Sequence, residues 1–206
     1  SIKPAPKNHG ILFKRKDIEI GNPIVRARWD YVSKTTLCTR VTNEDGTAIS
    51  TIEHLMAAIA GCGVSNAFIE IDSEEVPILD GSAAPFVEGI LETGLKIISP
   101  SSRVIKITRP VMFENQFGWA RLSPFKRPEM EYFIEFDDLA IGKQSKILNM
   151  SNGSFVKELC SSRTFCSSKD VETMRNNGLA LGGNYSNALV VDGDKVLSPG
   201  GMRYQD

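Results

Sequence analysis

Three observations in the sequence predict an α+β fold in two units, residues 1–98 and 103–206. Both halves mix strand-like runs with segments of helical spacing. Between them lies Ser99-Pro100-Ser101-Ser102, a linker signal, because proline restricts the backbone and serines bury little. Finally, Ser65-Asn66-Ala67-Phe68-Ile69 is echoed by Ser186-Asn187-Ala188-Leu189-Val190, each after a helix and a glycine-containing turn and each opening a strand. The echo is short enough that chance explains it as well as a duplicated unit does.

The first residues read as strand, as does Ile11-Leu12-Phe13. Ile24-Val25-Arg26-Ala27-Arg28-Trp29 alternates apolar and basic side chains, as a half-buried strand does. Ser50 to Gly61 has helical spacing, with Ile52, Leu55, Met56 and Ile59 on one face. The opposite side carries His54, Ala57, Ala58 and Gly61, whose small members let another element approach, so this helix is expected to be covered on both sides. Asn66 to Ile71 reads as a strand. Val76 to Leu79 reads as an apolar strand, Asp80-Gly81 as a turn, and Ser82 as the cap of a helix over Phe86, Val87, Ile90 and Leu91. In the second unit, Val104–Thr108, Trp119–Leu122 and Glu131–Phe136 read as strands. Phe155–Leu159 and Val171–Asn176 read as short helices, and Ala188–Val191 as a buried strand. Leu181-Gly182-Gly183-Asn184 lacks both glycine-rich phosphate patterns and reads as a plain turn.

With 41% hydrophobic and 24% charged residues, the 206-residue chain has a globular composition. Its formal net charge of -1 provides no bulk field to attract nucleic acid or an anionic membrane. The four cysteines form no C-x-x-C pair, which fits reduced thiols in a cytoplasm. Leu55–Val64, the longest mainly apolar stretch, is too short to span a bilayer, and no signal peptide is visible. A chain that opens on Ser1 and directly enters a strand is expected to lack its natural beginning.

Only two histidines are present. His54 follows Glu53 at the start of the two-sided helix, and adjacent helical residues point roughly 100° apart, so both can border one cavity in different roles. In a functional reading, His54 is a zinc ligand and Glu53 a general base. Taken alone, Ser50-Thr51-Ile52-Glu53 also matches an S-x-x-E capping box, and local chemistry prefers that reading. His9 sits in a turn-like stretch and is expected to be solvent-exposed. Cys38 is expected to be a small buried residue, since no second histidine stands in a setting to activate it. Ser161-Ser162-Arg163-Thr164-Phe165 is open to two readings: an ordinary helix-joining turn, or a threonine hydroxyl for an oxyanion beside an arginine for phosphate.

The motifs gain weight from their order. Leu37-Cys38-Thr39, Ser50-Thr51-Ile52-Glu53-His54-Leu55, Pro77-Ile78-Leu79-Asp80-Gly81-Ser82-Ala83, Ser162-Arg163-Thr164-Phe165, Gly178-Leu179-Ala180-Leu181-Gly182-Gly183, Asn187-Ala188-Leu189-Val190-Val191 and Met202-Arg203-Tyr204-Gln205-Asp206 follow one another along the chain. The series resembles the zinc-dependent UDP-3-O-acyl-N-acetylglucosamine deacetylases of bacterial lipid A synthesis. The resemblance implies two related α+β domains, each a sheet packed against a helix pair, with the second domain incomplete here and a zinc site between them. It implies His54 as a Zn2+ ligand, Glu53 as the base and Thr164 at the oxyanion. It further implies Leu37, Cys38, Arg163, Phe165, Asp170 and Gly183 as substrate-binding residues for a UDP-sugar acyl substrate, in the cytoplasm of a Gram-negative bacterium or a derived organelle.

The departures are a second zinc-binding histidine, a zinc-binding aspartate and a later general-acid histidine, which have no counterparts in this sequence. The family's opening strands and their Gly-x-His turn are missing as well. Because a catalytic zinc takes three protein ligands plus water, this chain alone is expected to be inactive, as a shortened piece of an active parent. The alternative is a noncatalytic remnant that keeps affinity for the sugar nucleotide or the acyl chain.

Overall fold

The computed structural model describes residues 1–98, 104–151 and 153–204. The linker signal at Ser99–Ser102 therefore lies outside the described residues, as do Gln205 and Asp206. The chain begins with strands β1 (Ile2–Pro4), β2 (Ile11–Arg15) and β3 (Ile24–Arg26). Next come β4 (Val32–Lys34), β5 (Arg40–Thr42), β6 (Ala48–Ile49), helix α1 (Glu53–Gly61), β7 (Ala67–Ile71) and helix α2 (Ala84–Thr93). After residue 103 follow β8 (Val111–Asn115), β9 (Gly118–Leu122), β10 (Glu129–Glu135), β11 (Lys143–Asn149) and α3 (Ser154–Glu158). The last elements are β12 (Phe165–Ser167), α4 (Ser168–Asn176), β13 (Leu189–Asp192) and β14 (Lys195–Val196). The class is α+β.

Strands β1, β7, β2 and β3 form one mixed sheet in that spatial order, with β2 and β7 parallel. Of the strand expected over residues 24–29 only Ile24–Arg26 forms: Val25 is buried and Arg26 and Arg28 are exposed, but the chain turns into a short 3-10 helix at Trp29, which stands in solvent. Helices α1 and α2 pack together on this sheet. Phe13, Val25 and Ile69 from the sheet meet Leu55, Ile59, Val87 and Ile90 from the helices in the main core.

Helix α1 is covered on both sides, as its two-faced sequence predicts. Leu55 and Ile59 enter the core, while on the other side the Phe155 ring lies against Gly61 so closely that a Cβ there would stand 1.9 Å from Phe155 Cδ1. Phe155 and Cys160 belong to the same core, so residues after 103 complete the packing of the first half. Among the described residues, no strand pairs across the two halves.

Beyond residue 103, β8 and β9 form one hairpin, β10 and β11 another, and β12, β13 and β14 a three-stranded sheet on which α4 packs. A small second core joins Ile141, Leu189 and Val191. The two hairpins bury little: Phe113, Trp119, Tyr132 and Phe133 are all more than half exposed.

Several sequence expectations need correction. Val104–Thr108 forms no strand: no strand among the described residues pairs with it, and Val104 and Ile105 stand in solvent. Val76–Ile78 forms no strand, with only the Ser50–Glu75 bridge before it, and Leu79 already belongs to the turn, with φ +52°. β11, rich in polar residues, goes unread in the sequence because its pairing with β10, not its pattern, makes it a strand. Leu91 is 48% exposed and does not share the buried face of Val87 and Ile90. His9 is half-buried, its ring edge-on to Phe68 at 6.2 Å. Cys38 is likewise half-buried, not enclosed.

The Gly61–Phe155 contact should respond to a single methyl. Gly61→Ala is expected to destabilise the chain by about 1–3 kcal/mol, the usual cost of overpacking, despite alanine's better helix propensity. Urea unfolding reads this directly, and adding Phe155→Leu to that variant should recover part of the loss.

Candidate functional site

Helix α1 starts at Glu53, three residues later than the sequence pattern indicates, and Ile52 occupies its N-cap with no side-chain cap. The capping-box reading therefore fails: Glu53 is the first helical residue, not the third. Its Oε2 instead accepts the backbone N–H of Thr39 at 2.9 Å, and the Thr39 carbonyl accepts the N–H of Ile52 at 3.3 Å. This reciprocal clamp brings the Leu37-Cys38-Thr39 segment up to the helix start. Before the helix, Thr51 is buried with φ +57°, a left-handed conformation that is strained for a β-branched residue. Its hydroxyl donates to Glu75 Oε1 at 2.8 Å, which helps hold the sharp exit from the Ser50–Glu75 bridge.

Glu53 and His54 line one cavity of about 200 Å³ together with Ala57, Phe155, Cys160 and Ser162. Its walls come from both sides of residues 99–103. A hollow of about 250 Å³ near Asn22, Tyr31 and Asn43 lies elsewhere, and the Asn43 amide there is engaged in structural bonds to Asn22, Ile24, Asp45 and Thr47. We place the candidate chemistry in the smaller cavity, because it alone of the two holds an adjacent carboxylate and imidazole.

The remaining sequence-predicted residues do not line this cavity. Leu37 is exposed with φ +60°, and Cys38 is half-buried beside the Thr39 clamp. Thr164 is exposed, its N–H donating to Gly81 O at 2.8 Å and its carbonyl accepting from Leu189 N at 2.9 Å. Arg163 donates from Nε to Asp80 O at 3.1 Å and from Nη2 to Tyr185 O at 3.3 Å. Phe165 lies in strand β12, not in a helix-joining turn, edge-on to Phe136 at 4.9 Å. Asp170 is exposed in the first turn of α4, and Gly183 closes the expected turn through its N–H to Ala180 O at 2.9 Å. Burial, aided by nearby Cys160, pushes the Cys62 thiol up; burial and then Asp170 push Cys166 up. Raised thiols make poor nucleophiles near neutral pH.

Sequence reasoning missed the seam between residues 80–83 and 160–164. Asp80 Oδ1 accepts the N–H and the hydroxyl of Ser82 at 3.0 and 2.8 Å, and Oδ2 accepts Arg203 Nη2 at 2.7 Å. Ser82 is not the cap the sequence predicts: Ala83 takes the N-cap position of α2 with no side-chain cap, and Ser82, fully buried one residue earlier, accepts only the Ala84 N–H at 3.2 Å. Burial raises the Asp80 carboxyl, but the hydrogen bonds from Arg203 and Ser82 together outweigh it and hold the group below the usual aspartate range. Oppositely charged residues so far apart in sequence leave no single-sequence signal. Phe155 and Ser162 were legible as helix and motif members, but not as cavity walls.

Among the described residues, no three His, Cys, Asp or Glu side chains converge to hold a metal ion.

The family described as LpxC, UDP-3-O-acyl N-acetylglycosamine deacetylase, matches residues 1–206. The chain belongs to this deacetylase family. A relative named UDP-3-O-acyl-N-acetylglucosamine deacetylase from Shewanella halifaxensis is 44% identical over 210 residues, covering 100% of this chain and 68% of the relative. The proteins of the same name from Shewanella piezotolerans and Shewanella loihica are 44% and 42% identical, with 67% and 68% of their lengths covered. Family membership agrees with the ordered motifs. No helix among the described residues is long and apolar enough to cross a membrane.

The Asp80 carboxylate has a defined pH signature. Its folded value lies below its unfolded one, so its contribution is present above the ordinary aspartate range, about pH 4, and is lost as pH falls through the depressed value. The stability gap between wild type and Asp80→Asn in urea unfolding should therefore be open at pH 6 and narrow steadily below about pH 4. A gap of constant size would show that the charge is not its source.

Proposed function

We propose that this chain carries the Glu53–His54 part of a deacetylase site acting on UDP-3-O-acyl-N-acetylglucosamine in the lipid A biosynthesis of a Gram-negative cytoplasm or derived organelle. The observation that carries the reading is the placement of a carboxylate, pinned by the Thr39 N–H, and an imidazole in one cavity between the two halves. On this reading residues 1–98 and 103–206 are its two domains. The cavity, about 200 Å³, is smaller than the roughly 300 Å³ lower bound usual for drug-sized ligands, so it suits the acetamido group and leaves the nucleotide and acyl chain outside.

Glu53 is suited to take a proton from an attacking water. One of its oxygens is held by Thr39, and no other hydrogen bond to the carboxylate is found among the described residues. Thr164 would donate its hydroxyl to the oxygen that becomes negative, and Leu37, Cys38, Arg163, Phe165, Asp170 and Gly183 would contact the rest of the substrate. The family also calls for zinc, which takes three protein ligands plus water in a catalytic site. The described residues supply His54 alone, so they do not make a zinc site.

The 206-residue chain, purified alone, is expected to hold well under one zinc per chain by elemental analysis and to release no acetate from the substrate. A protein of the relatives' full length that contains these residues is expected to do both. In that protein, Glu53→Gln should lower the rate by about 100-fold or more while leaving the unfolding midpoint unchanged, because a glutamine oxygen can still accept the Thr39 N–H. A full rate in this variant removes Glu53 as the base. Neither zinc nor turnover in that full-length protein would leave a noncatalytic binding protein as the reading.

A further inference from the structure

The Asp80 turn is more than a chain reversal. We propose that Asp80, held by Arg203, is a positioning residue that sets the backbone at Arg163 and Thr164, and through it the direction of the Thr164 hydroxyl. This rests on the reading of Thr164 as the oxyanion donor.

A plain turn accounts for part of what is seen. The Gly81 N–H donates to Ile78 O at 2.8 Å, Leu79 and Gly81 both take positive φ, and Asp80 Oδ1 closes on Ser82. It does not account for the other carboxylate oxygen, which is engaged by a guanidinium 123 residues away. Arg203 bonds both sides of the seam at once. Nη2 reaches Asp80 Oδ2, while Nη1 reaches Ser82 Oγ at 3.3 Å and Ser161 O at 3.2 Å.

Three further bonds tie the same turn to residues 160–164. Arg163 Nε donates to Asp80 O, Thr164 N to Gly81 O, and Ala83 N to Cys160 O at 3.0 Å. The contact is backbone against backbone: a Cβ on Gly81 would stand 2.2 Å from Asn187 O, and Gly81 has φ +85°. No flexible side chain lies between Gly81 and Asn187 to absorb a movement. A rotation of the Asp80–Gly81 peptide units therefore passes directly to the Thr164 N–H. A planar, forked guanidinium is the group that can fix such a turn from two directions.

The test is amide hydrogen exchange, followed by NMR, in the 206-residue chain. Asp80→Asn keeps an oxygen to accept from Ser82 but removes the charge facing Arg203. The Thr164 amide is expected to exchange about tenfold faster, while the amides of Ala67 and Glu70 in the first sheet keep their rates. Arg203→Gln should give the same selective pattern, and because Arg203 is partly exposed it serves where Asp80→Asn does not fold. Unchanged exchange at Thr164, or an equal rise at every amide, would overturn the proposal, since the second outcome is what a merely stabilising contact yields. The readout needs no turnover, so it is separate from the fate of the catalytic reading. Thr164→Val keeps the N–H that meets Gly81 O and removes the hydroxyl. If that variant, in a protein of the relatives' full length, deacetylates at the wild-type rate, Thr164 loses its oxyanion role while the exchange result for Asp80 stands.

Discussion

Helix α1 must serve two surfaces at once, and the arrangement of the rest follows from how it does so. Its large apolar residues face the mixed sheet, and its small residues admit a ring from the second half of the chain. Were Gly61 any other residue, Phe155 could not lie where it does, and the wall that closes the Glu53–His54 cavity would move outward. The same helix start carries the two chemically active side chains. Packing at the helix end and chemistry at its beginning are therefore parts of one constraint.

Magnitudes separate what holds the halves together from what adjusts them. Burying an aromatic ring such as Phe155 is worth about 1.5–3 kcal/mol, and each neutral backbone hydrogen bond across the seam about 0.5–1.5 kcal/mol. The Arg203–Asp80 pair has side chains 36% and 30% exposed, and pairs that face solvent contribute about 1 kcal/mol or less. Cohesion therefore comes from Phe155, Cys160 and the backbone bonds at Gly81 and Ala83. The ion pair adds direction more than strength, which fits its place beside Thr164. The strained Thr51 and the left-handed Leu37 lie on either side of the Glu53 clamp, where tertiary contacts hold conformations that local preference disfavours.

Much of this was legible in the residues, for identifiable reasons. The alternation at residues 24–26 and the apolar face of α1 reflect periodicities, and 189–191 a short apolar run, that need no partner to be recognised. The order of the motifs led to the deacetylase family, which the match over the whole chain shows. The failures are of the opposite kind. Val104–Thr108 has the pattern of a strand without a partner, and β11 has a partner without the pattern. Ser50–Glu53 has the spacing of a capping box, but the Thr39 N–H outcompetes the helix for the glutamate.

The sequence by itself determined the fold class, the adjacency of Glu53 and His54, and the family, because these depend on local periodicity, covalent neighbours and motif order. Only the tertiary structure decided that Glu53 answers to Thr39, that Phe155 and Ser162 wall the cavity, and that Arg203 closes on Asp80. Each of those is a contact between residues distant in the chain. Its energy is realised only when folding brings both partners to the same point, so no local pattern of residues carries it.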